Sequence, residues 1–393
     1  MSAFLFVVPP LTGHINPAVG VAARLTAAGH RVAWACADPD LVRRLAGADA
    51  EVYACAGPVP GAPGAVRPPD LRGAEALRFL WEWYLLPLAD AMAPGVRAAV
   101  AAVRPDVVVA DQQAFAGALV AERLGLPWAT SATTSAEFSG AYDGLPKVAD
   151  WLRQRLTELR ARIGDPAGTA DPRSSPHLLL VFSTPELIGP QAPLAPHIHY
   201  VGPSLAGRPD GPGFPWEWLD HGRAKVLVTL GTANADAGGR FLAQALAALR
   251  ERADRIQAVI ADPGGALPAA TPDKDVLILP SVPQLPLLER MDAVVCHAGH
   301  NTVCEALWHG VPLVVAPIRD DQPVVAGQVV DSGAGVRVRF GRVTVARLGE
   351  ALDAVLHDSA HRVAAARIRA AFRAAGGAQA AAAHLARLAA EAR

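Results

Sequence analysis

Cysteine, aromatic residues and any excess of one charge are in short supply in this chain of 393 residues. Its four cysteines, Cys36, Cys55, Cys296 and Cys304, form no C-x-x-C pair and sit in apolar or helix-like stretches. That excludes a metal knuckle or a disulfide framework and reads as reduced core thiols. Lys plus Arg number 36 against 37 for Asp plus Glu, so the formal net charge of -1 supplies no general basic field for nucleic acid or an anionic membrane. No run approaches the ~18 uninterrupted apolar residues of a membrane span, and no stable membrane insertion is expected. The start, Met1-Ser2-Ala3-Phe4, has no basic leader and its apolar run ends at Pro9-Pro10, which makes a cytoplasmic address the expectation. Two ligand motifs are missing too. Without a G-x-G-x-x-G turn a dinucleotide-dependent oxidoreductase is disfavoured, and without G-x-x-x-x-G-K so is a P-loop enzyme. Metal-binding pairs of the D-x-D kind are scarce, Asp320-Asp321 being the tempting exception, so neither a metal nor a cofactor is expected.

What the chain does have is apolar material, 51% of residues against 19% charged, ample for buried sheets. Its length exceeds the ~250–300 residues at which one core stops growing, so two domains are expected. Short apolar runs at 3–8, 31–35, 107–110 and 127–130 alternate with amphipathic stretches, the first helix being placed from about 17 to 28 behind Pro17. The pattern returns with strands at 225–230, 256–260, 276–279, 293–296 and 313–316, and a helix over 238–252. This is the signature of parallel strands joined by crossover helices. The stretch 202–220, rich in Pro and Gly, lacks either period and reads as a connection. The expected organisation is a first domain over 1–205, a linker over 206–222, a second domain over 223–375 and a closing helix over 376–393, with packing back onto the first domain as one option.

The most informative segment is 279–322, LPSVPQLPLLERMDAVVCHAGHNTVCEALWHGVPLVVAPIRDDQ. A strand ends at His297-Ala298-Gly299 and a helix runs from His300 to about Trp308, stopped by Gly310. Such a helix start aims unpaired amides and partial positive charge beyond the strand end, which suits a diphosphate. His297 can donate a ring N–H to phosphate, Gly299 admits close backbone approach, and Asn301 and Thr302 add polar groups. Glu305, four residues after Asn301 and on the same face, can accept both ribose hydroxyls. Asp321-Gln322 offers a bidentate acceptor and an amide for sugar hydroxyls. Cys304 and Trp308 read as core, and His300 and His309 as supporting or surface groups.

In the first half, the strand over 3–8 is followed by Gly13-His14, and the imidazole is suited to taking a hydroxyl proton near neutral pH. Asp111, at the end of the strand over 107–110, is the carboxylate that would fix its tautomer. Phe79, Trp81, Trp83, Tyr84, Phe115, Phe138 and Tyr142 concentrate aromatic surface there, with packing alone an equal explanation. Trp83 and Phe138 are taken as candidates for contact with an acceptor.

His297, Gly299, Asn301, Thr302, Glu305, Gly310, Pro312, Pro317, Asp321 and Gln322, in this register, closely resemble the donor signature of the family 1 glycosyltransferases, a group that includes macrolide and carotenoid glycosyltransferases. The resemblance implies the GT-B fold, an α/β architecture of two Rossmann-like domains whose parallel sheets face across a cleft, closed by C-terminal helices. It also implies that His297 and its turn hold the diphosphate, Glu305 the ribose, and Asp321 with Gln322 the transferred sugar. Ser281-Val282-Pro283-Gln284 aligns with the family's base-binding W-x-P-Q, so Val282 and Gln284 are base contacts. Ser281 replaces the stacking indole and leaves uracil and thymine open. Gly231-Thr232 matches the family's glycine-plus-hydroxyl turn under the phosphate, and Gly13, His14 and Pro17 match its G-H-x-x-P turn, whose His is the general base. The implied reaction is inverting transfer from a UDP- or dTDP-sugar to a small, largely apolar natural-product acceptor, by a monomer or homodimer. A non-catalytic sugar-nucleotide-binding partner protein and a sugar-nucleotide epimerase of the same fold are the competing expectations.

Overall fold

The computed structural model describes residues 1–58, 71, 73–135, 145–189, 195–208, 211–231, 238–268 and 273–392. They form two compact units, one of Met1–Thr184, Gln191–Pro209 and Ala374–Arg393, the other of Pro185–Pro190 and Asp210–Arg373.

In the first unit β1 (Ala3–Val7), β2 (Arg31–Cys36), β3 (Val52–Ala54), β4 (Val107–Asp111), β5 (Trp128–Ala132), β6 (Leu178–Val181) and β7 (Ile198–Tyr200) form a parallel sheet in the order β3-β2-β1-β4-β5-β6-β7. Both faces are covered. Leu5, Val7, Val108 and Ala110 pack with Leu88, Met92, Val96 and Phe115, while Phe4, Phe6, Val107 and Val109 pack with Ile15, Val19, Leu25 and Leu385. Burial on both sides is why these strands read as unbroken apolar runs and not as alternation. Completely buried side chains such as Phe4 and Phe6 each contribute roughly 1.5–3 kcal/mol.

The first helix is Thr12–Ala27, not a helix opening at about residue 17. The amides of His14 and Ile15 already bond to the Leu11 carbonyl at 3.0 and 3.1 Å, so Pro17 lies inside the helix and His14 in its first turn. The helical run Gly73–Val103 has the length and mean hydropathy, 1.3, of a membrane span, yet half of it is buried. Trp81, Leu85, Leu88, Met92, Val96 and Val103 recur at helical spacing and form its inner face against the core. A π-helical turn, Leu80–Leu85, interrupts this run.

The last helix, Gly377–Glu391, belongs to the first unit. Its alanines have a packing reason: Ala378, Ala381, Ala382 and Leu385 bury against the helix Thr12–Ala27 and the sheet, and Gly377 donates its N–H to the Val201 carbonyl at 2.6 Å. The short helix Pro185–Ile188, which the expected boundary placed in the first domain, belongs with the second unit.

The second unit repeats the plan. Strands β8 (Ala224–Thr229), β9 (Ile256–Ala261), β10 (Val276–Leu279), β11 (Ala293–Cys296), β12 (Leu313–Val315) and β13 (Gly335–Arg337) are parallel, in the order β10-β9-β8-β11-β12-β13. Val226, Val228 and Val295 meet Phe241, Ala245, Leu348 and Leu352 in its core. In each sheet the strand order reverses once, between β1 and β4 and between β8 and β11, and the two departing crossovers leave a crevice at the carboxyl ends there.

Candidate active site

The reversal in the first sheet is where His14 and Asp111 meet. Nδ1 of His14 lies 2.9 and 3.1 Å from the Asp111 carboxylate oxygens. Asp111 is fully buried and the His14 side chain 16% exposed, so the carboxylate is sealed while the imidazole keeps an edge open to a ligand. A buried carboxylate needs donors. It receives the Gln113 N–H at 2.8 Å on Oδ1 and the Thr133 hydroxyl at 3.0 Å on Oδ2. With Nδ1 facing a carboxylate, the neutral ring carries its proton there and its lone pair on Nε2.

Thr133 escaped the sequence reading. It is 4% exposed, follows β5, and places Oγ1 2.8 Å from Nδ1 of His14. Its signal was the β4–β5 register: Asp111 pairs with Ser131, and residue 133 shares that sheet face. The π-helical turn contributes Tyr84, whose buried hydroxyl finds no hydrogen-bond partner among the described residues. Burial raises its pKa above the usual value, and the nearby Cys36 and Asp111 add to the effect. The fully buried amide of Gln112 is likewise unsatisfied there.

The aromatic group divides. Trp81 and Phe115 are core, ring centroids 5.3 Å apart, with Trp151 against the same indole. Trp83 is 60% exposed and stacks on Phe79. Phe138 and Tyr142 lie outside the described residues.

In the second unit, the reversal brings together Gly231 after β8 and His297 after β11. His297 is 8% exposed and enclosed by two glycines. A Cβ on Gly231 would lie 2.8 Å from its Cε1, and one on Gly299 would sit inside the van der Waals radius of Nε2. Gly231 also has φ +70°, so it needs glycine twice over. Burial pushes the His297 pKa down to about 4, with Arg319 acting in the same direction and the Thr229 backbone against it. The ring is therefore neutral at pH 7, with a single N–H. Gly299 caps the helix His300–Trp308, on which Asn301 is half-buried and Thr302 and Glu305 are buried.

Glu305 accepts a 2.5 Å hydrogen bond from Nε2 of Gln284, so the residues expected at ribose and base are neighbours. Val282 is half-buried beside them and Ser281 exposed. Gln322 uses its side-chain carbonyl to accept the Ile318 and Arg319 amides at 2.9 and 3.0 Å, which ties down the loop that carries Asp321. Ala298 and Asp320, with φ +65° and +57°, are non-glycine residues in left-handed backbone, and both sit at this edge. Such strain collects at binding sites. His300 is buried against Cys304, 3.4 Å from its sulfur, and is not a surface group. Thr232 lies outside the described residues.

The relatives of this chain fit that geometry. It is 31% identical over 402 residues to the demethyllactenocin mycarosyltransferase of Streptomyces fradiae, covering 96% of this chain and 84% of that one. Identity is again 31%, over 397 residues, with the 4'-demethylrebeccamycin synthase of Lentzea aerocolonigenes, covering 92% and 93% of the two chains. The chain belongs to the family 1 glycosyltransferases. Residues 246–388 of this glycosyltransferase match the family model of the erythromycin biosynthesis protein CIII-like C-terminal domain. Among solved structures, the glycosyltransferase of kitacinnamycin superposes with a TM-score of 0.76 at 25% identity, over 98% of both chains. The fold is GT-B, and the enzyme is a nucleotide-sugar-dependent transferase of natural-product type.

Proposed function

We propose that this glycosyltransferase moves a sugar from a UDP- or dTDP-sugar onto a hydroxyl of a small, largely apolar natural product, with inversion and with His14 as general base. The observation that carries this is the His14–Asp111 contact at 2.9 Å, made by a half-open imidazole and a sealed carboxylate at the strand-order reversal. In the reaction Nε2 of His14 takes the acceptor proton as the oxygen attacks the anomeric carbon, and the bond from that carbon to the diphosphate breaks on the opposite side. Asp111 stabilises the imidazolium that forms. The leaving diphosphate is met by the N–H of neutral His297 and the amides that open the helix His300–Trp308. Glu305 takes the ribose, Val282 and Gln284 the base, and Asp321 with the Gln322 amide the sugar.

The names of the relatives, a mycarosyltransferase and a demethylrebeccamycin synthase, support acceptors of the natural-product class. A non-catalytic partner role has no use for a His–Asp pair of this geometry. Replacement of His14 by Ala is expected to lower turnover by about 10²–10⁴ while nucleotide binding survives. Turnover within a factor of three of the wild type would remove His14 from the mechanism, and an unchanged anomeric configuration in the product, read by NMR, would remove inversion.

A further inference from the structure

We propose that Thr133 is a positioning residue for the base, a hydroxyl that bridges His14 and Asp111 and sets the basicity of the imidazole. The proposal rests on the reading of His14 as general base. Oγ1 of Thr133 stands 2.8 Å from Nδ1 of His14 and 3.0 Å from Oδ2 of Asp111, with the residue 4% exposed. A hydroxyl owns one proton and two lone pairs. Its proton goes to the carboxylate, because Asp111 has none to give, and a lone pair then faces Nδ1–H.

The Nδ1 proton is thus shared between a carboxylate oxygen and a hydroxyl oxygen, and the carboxylate is pinned from three sides, by the Gln113 amide, the Thr133 hydroxyl and the ring itself. Two consequences follow. The carboxylate cannot rotate away from the ring, so Nε2 keeps its direction. The imidazolium, once formed, finds two acceptors at Nδ1, which favours the protonated ring and makes His14 a stronger base. Three strands supply the parts: His14 follows β1, Asp111 ends β4 and Thr133 follows β5, neighbours in the sheet.

Among the described residues Tyr84, from the π-helical turn, is a titratable group that acts with Asp111, and Cys36, at the end of β2, acts with Tyr84. Both are raised by burial and stay protonated across the neutral range, so neither supplies a competing transition.

The test uses the full-length enzyme with Thr133→Val and Thr133→Ser, and two readouts. In an NMR titration of the His14 ring, Thr133→Val is expected to titrate at lower pH than the wild type, since an acceptor for the imidazolium is replaced by a methyl group, while Thr133→Ser titrates with the wild type. In transfer assays Thr133→Val is expected to lose about tenfold in kcat with donor KM unchanged, as for the loss of one hydrogen bond to a charged group, and Thr133→Ser to stay within about threefold. A melting temperature and far-ultraviolet circular dichroism equal to those of the wild type, in both variants, establish that they are folded. A wild-type His14 titration in Thr133→Val, or a Thr133→Ser as impaired as the valine variant, overturns the proposal. Full activity in His14→Ala would instead overturn the reading beneath it, so the two failures are distinct.

Discussion

At the scale of single residues, the two histidines at the sheet edges have different surroundings. His14 has a carboxylate and a hydroxyl at Nδ1 and a side chain that is 16% exposed. His297 is buried, with burial and Arg319 pushing its pKa down to about 4 from an ordinary 6.5. A histidine depressed in the folded state stabilises the fold above its unfolded pKa, and that contribution fades as pH falls from about 6.5 towards 4. The melting temperature is therefore expected to drop over that window, and His297→Gln to flatten the drop. Equal slopes for variant and wild type between pH 6.5 and 4 would show that His297 is not held neutral by the fold.

Glu305 and Asp111 were visible in the sequence because each sits at the end of a recognisable strand or at a fixed offset on a helix. Thr133 was not, because its partnership depends on which strand lies beside β4, a fact of sheet order that no local pattern carries. Gln322 shows a subtler gap: its type and position were legible, but not that its carbonyl is spent on the backbone of its own loop.

Among elements, the long parallel strands were legible to within two residues, since strands buried on both faces leave continuous apolar runs. β3, β7 and β13 were not, because three partly exposed residues each leave no continuous apolar run, and the buried four residues of β6 were missed. The start of the first helix was misjudged through the preference of proline for an opening turn. It starts instead at Thr12, and this puts His14 on a rigid helix and not on a loose turn.

The turn that opens the helix His300–Trp308 makes its own prediction. Gly299 has φ -64°, which any residue can adopt, so its requirement is room for the His297 ring. Gly299→Ala must displace that ring and is expected to weaken nucleoside diphosphate binding at least tenfold. Gly327→Ala, in the helix Gln322–Asp331 with open space around its Cβ, should leave binding intact and add about 0.5–1 kcal/mol of stability in denaturant titration. Wild-type affinity in Gly299→Ala would mean that the enclosed ring is not part of the cradle.

For the molecule as a whole, the proposed function gives each of the two units one half of the chemistry at the point where its strand order reverses. The first unit would supply the base, from His14, Asp111 and Thr133 at β1, β4 and β5, and the second the cradle, at β8, β11 and the helix behind it. Length and the alternation of apolar runs with amphipathic stretches announced two such units and their parallel sheets. The return of the chain to its first unit was one option for the closing helix: the alanines of Gly377–Glu391 look like generic helix, and the close contact with the helix Thr12–Ala27 explains their small size.

The division of labour between the units is the central claim, and it is separable without knowing the acceptor. Calorimetric titration of uridine and thymidine diphosphates into the wild type, His14→Ala and Glu305→Ala tests it most directly. At least one nucleotide should bind the wild type and His14→Ala equally, and bind Glu305→Ala about tenfold or more weakly, since a buried carboxylate loses its hydrogen bonds to the ribose. Equal affinity in wild type and Glu305→Ala, or a nucleotide affinity that falls with His14 instead, would contradict the account.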